Sequence, residues 1–270
     1  DSFRGSEAMW TVTEAQWSAW ITAYFFPAVR ILALLAVAPV FSNRALPTRI
    51  RLVLGLAITV AVAPVLPPAP PIPLDSWLIY PVVAAEFGLG VAFGFVLRFV
   101  FAAIDLAAAL IGFQMGLSFA VFYSPTAGTQ TPVFNEFFGV VATLLFLALD
   151  GHLMLVHAVV TSFEWIPVGG AVAWQEGMAV LLRYPVTLFA LAFLLSLPIT
   201  AAVLLTNIAL AVLTRAAPQL NLFAIGFPVT ITVGFLALLM SLSPVGALLQ
   251  QTFSDGLDAV GQVIQGLSGR

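Results

Sequence analysis

Six apolar stretches dominate the chain: Ile21–Phe41, Leu52–Leu66, Trp77–Met115, Phe137–Val160, Pro185–Leu213 and Leu222–Leu242. A helix needs about 20 apolar residues to cross a bilayer core. The second stretch is short for that task and the third is far too long for one crossing. Such unequal lengths predict kinked or partly embedded helices held inside an assembly, where a bundle in lipid would be more uniform. Prolines at positions 27, 39, 64, 81, 185, 198 and 228 point the same way, because an interior proline kinks a helix; proline is also commoner in membrane helices than in soluble ones. Beyond Pro244, the residues Leu248, Leu249, Phe253, Leu257, Val260 and Ile264 recur at helical spacing. They predict an amphipathic helix lying on a partner or on the membrane surface.

Composition fixes the class. With 61% hydrophobic residues, 8% charged residues and a mean hydropathy of +1.10, the chain is no water-soluble globular domain. The expected fold is all-α: a multi-helix, hydrophobic membrane-complex subunit with kinked helical hairpins. Residues 1–8 read as an upstream remnant or tag scar before a start at Met9, and residues 9–270 as one helical domain. The net charge of −3 argues against nucleic acid as a partner. The chain has no cysteine, and all nine basic residues are arginine. Disulfides, thiolate catalysis, cysteine-ligated metals, P-loops and Schiff-base cofactors are thereby excluded, and no cofactor is expected. The basic connector Ser42–Arg51, with Arg44, Arg49 and Arg51, belongs on the cytoplasmic face by the positive-inside rule. Pro67–Asp75 and the acidic Glu164–Glu176, which holds Trp165 and Trp174, suit the opposite face.

Three features within this frame are candidates for function. Glu86, Gly90, Gly94 and Arg98 follow one another at four-residue steps and so form one ridge on a helix. The Gly90/Gly94 pair admits a close-packed backbone. Asp105 lies two turns beyond Arg98 on nearly the same face. Charges at this depth need partners, so the ridge is expected to meet a neighbouring subunit; an internal helix pair is the plainer alternative. The second feature is the tract from Gly112 to Thr131. Gly112 and Gly116 loosen the helix, Gly128 and the flanking prolines prevent its continuation, and Phe113, Met115, Phe119, Phe122 and Tyr123 are bulky and apolar. This suits a re-entrant loop that fills an opening; a surface turn with aromatics in the headgroup belt is the alternative. The third is Arg215–Pro228, in which Arg215, Pro218, Gln219, Asn221, Gly226 and Pro228 join two apolar stretches. Polar groups and broken backbone there require partner helices or a wet path. By contrast, Asp150-Gly151-His152 and His157 close no ligand set, since the histidines are five apart. Ser118 sits in no nucleophile elbow. No catalytic or metal residue is expected.

Taken in order, these features resemble the FliR family of bacterial flagellar export-gate proteins. The resembling residues are Arg30, Ala38-Pro39-Val40-Phe41, Leu46-Pro47 with Arg49 and Arg51, Glu86 with Gly88, Gly90 and Gly94, Gln114-Met115-Gly116-Leu117-Ser118-Phe119, Asp150-Gly151-His152 and the Arg215–Pro228 tract. Where family members often carry a basic residue after Gly-Phe-Pro, this chain has Val229 and Thr230. The resemblance implies a non-enzymatic core subunit of the flagellar type III export gate in the bacterial inner membrane, at the basal body. Its implied partners are FliP-like and FliQ-like subunits in a hetero-oligomer and a FlhB-like substrate-switch protein, and its cargo is unfolded flagellar proteins. It also implies an assembled complex standing largely above the membrane plane. The injectisome paralogue of virulence secretion shares these features, and a small-solute transporter or an intramembrane protease are the readings from other classes.

Overall fold

Inside an apolar environment, a chain can satisfy its backbone N–H and C=O groups only as helix or closed barrel. This chain takes the helix each time. The computed structural model describes residues 14–42, 46–67, 76–117, 133–217 and 222–269, with nine α-helices and no strand among them. They are α1 (Glu14–Val37), the single turn α2 (Pro39–Ser42), α3 (Thr48–Val62, extended by a 3-10 turn over Ala63–Val65), α4 (Ile79–Gln114), α5 (Val133–Ala148), α6 (Gly151–Trp165), α7 (Trp174–Ala216), α8 (Leu222–Met240) and α9 (Leu242–Ser268). The expectations for residues 1–8, Arg44, the stretch 68–75, Phe119, Phe122, Tyr123, Gly128, Pro218, Gln219 and Asn221 lie outside the described residues.

Among the described residues, three helices are long and apolar enough to cross a membrane: α3 with its extension, α4 and α7. The number rises to five if the bent pairs α5/α6 and α8/α9 each count as one. The over-long third stretch is not interrupted. It forms one helix of 36 residues, about 54 Å at 1.5 Å per residue. Nor do the interior prolines break their helices, since Pro27, Pro185, Pro198 and Pro228 all lie inside continuous ones. The sharp bends, each of 64°, fall between α5 and α6 and between α8 and α9. At the first, Asp150 adopts a positive φ of 55°, and the Phe146 ring occupies the space a Cβ on Gly151 would need. At the second, Pro244 has no N–H to donate to the Met240 carbonyl four residues back. The Ala237 carbonyl there accepts twice from Ser241, from its hydroxyl at 2.7 Å and from its N–H at 2.9 Å.

The chain folds into two compact units, 1–95 with 156–179 and 261–270, and 96–155 with 180–260. In the first, α3 lies against α1, where Gly55 leaves room for Leu32 and Leu35. The core there includes Phe26, Leu34, Leu89, Phe93 and Phe163. The start of α7 is tied to the end of α9 by the Ala173 N–H donating to the Leu267 carbonyl at 2.8 Å, and the Leu267 side chain fills the space a Cβ on Gly177 would take.

In the second unit, Phe101, Phe146 and Phe253 form a triangle with ring centroids 5.5 to 6.1 Å apart, joining α4, α5 and α9. Phe253, Leu249 and Val260 are all buried. The helix predicted to lie on a partner or on the membrane surface instead packs its apolar face within its own chain. Its periodicity was legible; the surface that covers it was not. Phe253→Ala is therefore expected to destabilise the detergent-solubilised chain by about 3–5 kcal/mol, read as a lowered thermal midpoint. An unchanged midpoint in the isolated chain would mean that α9 does not depend on this packing.

Candidate functional site: a buried ion pair at a close helix crossing

Arg30 is the only charge in the Ile21–Phe41 stretch, and it is fully buried. Its guanidinium forks onto Glu86 of α4: Nε donates to Oε2 at 2.7 Å and Nη2 to Oε1 at 3.1 Å. Nη1 donates to the Ser162 hydroxyl on α6 at 2.9 Å, and Nη2 also donates to the Ile166 carbonyl just past α6, at 2.9 Å. The Ser162 hydroxyl in turn donates to the Val159 carbonyl at 2.6 Å. The Phe163 ring lies 3.8 Å from the guanidinium carbon, a favourable cation–π arrangement. A buried charge is tolerable only when paired and hydrogen-bonded. Here the planar fork of arginine meets a carboxylate bidentately and the remaining donors find a hydroxyl and a carbonyl.

The crossing beside this pair explains how the charges come so close. A Cβ on Gly90 would fall on the Arg30 carbonyl oxygen, with the Ala33 Cβ at 2.8 Å and the Leu34 amide at 3.0 Å. A Cβ on Gly94 would lie 2.7 Å from the Val37 Cβ and 3.1 Å from the Leu34 carbonyl. Missing side chains thus let α1 and α4 touch backbone to backbone. The ridge of Glu86, Gly90 and Gly94 was expected to meet a neighbouring subunit. In the structure these three residues meet α1 of the same chain. The other two charges of that expectation separate from it, for Arg98 and Asp105 are both exposed. Among the described residues only the Asp105 backbone is engaged, accepting from the Asn135 amide at 2.9 Å.

The tract expected to loosen at Gly112 and Gly116 begins with a well-formed helix stop. Gly112 is still helical. Gly116 has a φ of +77°, its N–H donates to the Phe113 carbonyl, and the Leu117 N–H donates to the Gly112 carbonyl, each at 3.0 Å. This is the paired bonding of a Schellman cap, which calls for glycine at the left-handed position. Met115, expected to be part of a seal, is fully buried and lies against Gly234 of α8, where a Cβ would stand 2.7 Å from its Cε. Position 116 abuts the Phe227 ring. Only Phe113 of the expected apolar group is seen exposed. Of the closing tract, Arg215 and Pro228 are exposed and Gly226 is buried. Among the described residues no three His, Asp or Glu side chains converge on a metal position. Sequence reasoning missed the pairing of Arg30 with Glu86; the signal available was a lone cation in the first apolar stretch and an acid in the third, which also holds Arg98 and Asp105.

The sequence profile of the bacterial export proteins, family 1, matches residues 21–256. Flagellar biosynthetic protein FliR of Escherichia coli strain K12 is 38% identical over 260 residues, which cover 96% of this chain and 99% of that protein. The chain belongs to the FliR family. FliR of Pectobacterium carotovorum subsp. carotovorum is also 38% identical, over 254 residues covering 92% of this chain and 95% of that one. FliR of Bacillus subtilis strain 168 is 29% identical over 236 residues, covering 86% and 90%. This FliR-family chain, with its several long apolar helices, is a membrane-protein component of the flagellar export apparatus, and these relatives support the flagellar alternative.

The buried pair invites a direct test. Arg30→Met or Glu86→Leu alone leaves a buried charge without its partner and is expected to cost about 3–5 kcal/mol; the double replacement removes both charges and should recover most of that loss. Thermal midpoints of the three variants in detergent check this. Single variants that melt like the parent would show that the pair does not hold α1 on α4.

Proposed function

We propose that this FliR-family chain is a core subunit of the flagellar protein export gate. It assembles with FliP-like and FliQ-like subunits in the bacterial inner membrane at the basal body, with a FlhB-like protein as a further partner. Unfolded flagellar proteins pass through the channel so formed. The chain performs no chemistry of its own, and the proton gradient and a separate ATPase drive export.

The observation that carries assembly is the pair of exposed charges on α4. Arg98 and Asp105 stand about 10 Å apart along the helix axis, exposed, and neither forms an ion pair among the described residues. Elsewhere in the same unit the exposed surface is apolar: on α7, Leu182, Val186, Phe189, Phe193 and Leu197 are all exposed at helical spacing. Lipid suits that stripe, but lipid does not suit a guanidinium and a carboxylate. Polar groups on other subunits do. The exposed Arg215 and Pro228, together with Pro218, Gln219 and Asn221, belong to this assembly surface in our reading; Gly226, buried within the chain, drops out.

The seal is assigned to the loop that follows α4. Phe113, exposed in the last turn of that helix, together with Phe119, Phe122 and Tyr123 from the sequence that follows, would form an apolar constriction that excludes ions by dewetting. The Schellman cap at Gly116 and the glycine at 128 would be the hinges. Met115 drops out of this group because it is a core residue.

Co-expression with the neighbouring FliP- and FliQ-like genes tests the assembly. A particle of mixed subunits should form only when all are present, and Arg98→Ala should lower its yield more than Arg183→Ala, since Arg183 lies on a different helix near the start of an apolar stretch. Equal yields would remove Arg98 from the interface. For the seal, replacing Phe119 and Phe122 together by Ala should leave assembly intact while raising passive ion leakage in cells. An assembled variant that holds ions as well as the parent would transfer the seal to the partner subunits.

A further inference from the structure

Beyond Leu242, α9 exposes no large apolar side chain among the described residues. In the unit formed by 96–155 and 180–260, its exposed positions include Gln251, Ser254, Asp255 and Asp258, which recur at three- and four-residue steps and so line one face of the helix. Gln262 and Gln265 continue the same spacing. The contrast within that unit is sharp. On α7 the exposed positions include Leu182, Val186 and Phe189 beside Arg183, and on α8 they include Phe235, Leu236 and Leu239.

A polar stripe of this kind needs water or polar groups on another subunit. It does not suit lipid tails, which leave carboxylates and amides unsatisfied. Nor does it suit a helix lying on a membrane surface. Such a helix inserts its apolar face into lipid and presents Lys or Arg to the headgroups. The apolar face of α9 is already buried in its own chain through Leu249, Phe253 and Val260, and no basic residue occurs between Ala216 and Gly269. Two aspartates on the stripe would meet anionic headgroups with repulsion.

We infer that the Gln251–Ser254–Asp255–Asp258 face of α9 lines the aqueous path of the export channel, an assignment that rests on the proposed gate function. The chemistry fits an unfolded polypeptide as the passing ligand. Amide, hydroxyl and carboxylate groups exchange hydrogen bonds with a peptide backbone as readily as with water, and no exposed apolar side chain is there to hold a hydrophobic segment of the cargo in place.

The chain contains no cysteine, so a single introduced thiol is this chain's only site for a maleimide, and labelling is read on its own band. In the assembled, detergent-solubilised complex, Ser254→Cys and Gln251→Cys should react with a sulfonated maleimide during a time in which Phe189→Cys on α7 remains unlabelled. That labelling should be lost when an export substrate fused to a tightly folded domain is stalled in the channel. Labelling that persists with the stalled substrate would place the stripe on an outer wet surface and overturn the assignment. Absence of labelling in the intact complex would mean that a partner subunit covers the stripe, and would overturn it equally. Co-purification is read first: its failure overturns the gate function and this assignment together, whereas an intact complex without protection overturns this assignment alone.

Discussion

A single arginine organises the first unit. Its guanidinium reaches α4, α6 and the segment after α6 at once, so three parts of the chain must be in place before the charge is satisfied. A salt bridge of this kind is weak evidence for net stability, because removing two ions from water offsets most of their attraction. What it supplies is a condition on geometry. An apolar interface tolerates rotation or a sliding turn at small cost, whereas a bidentate fork admits one register of α1 on α4. The glycines at 90 and 94 are the other half of that condition, since a methyl group at either site would hold the backbones too far apart for the fork to close.

The second unit is built on a different principle. Its centre is a triangle of phenylalanine rings with no polar group to set the register, and its helices end at defined stops: a left-handed glycine after α4, a left-handed aspartate between α5 and α6, and a proline-induced turn between α8 and α9. Ring packing accommodates small displacements that a forked ion pair would not. The charged positions of this unit stand on its outside, where other subunits or water would satisfy them.

Much of the helix content was legible because apolar stretches have two solutions away from water, and runs this long and continuous suit the helix rather than a barrel strand. The limits of that legibility were physical. Hydropathy marks where a helix is apolar, not where it begins, so the apolar stretch marked from Pro185 belongs to a helix, α7, that starts at Trp174; Gln175, Glu176 and Arg183 concealed its first turns. The small-residue spacing at Gly90 and Gly94 announced a close approach but carried no information about whose backbone approaches. The amphipathic tail showed the same gap, for periodicity reveals an apolar face and leaves its cover open. Met115 was grouped with aromatic neighbours in sequence, yet the helix stop one residue later turns it inward against a glycine on α8. Pro244 is the instructive miss: one of the two 64° bends falls beside it and the other at Asp150, where no proline stands, whereas Pro39 follows the break after α1 and Pro64 lies in the 3-10 turn that ends α3.

The order of residues along the chain gives the arginine cluster a meaning in time. Every group that satisfies Arg30 is made after it: Glu86 follows by 56 residues, Ser162 by 132 and Ile166 by 136. During synthesis α1 therefore leaves the ribosome with an unanswered cation in an apolar helix, and the last of its acceptors is made only when more than half of the protein exists. Until then, the first helix has no settled place in an apolar medium. The nascent chain must keep α1 near water, near anionic headgroups or in the care of the insertion machinery, and commitment of the N-terminal helix is tied to completion of α6.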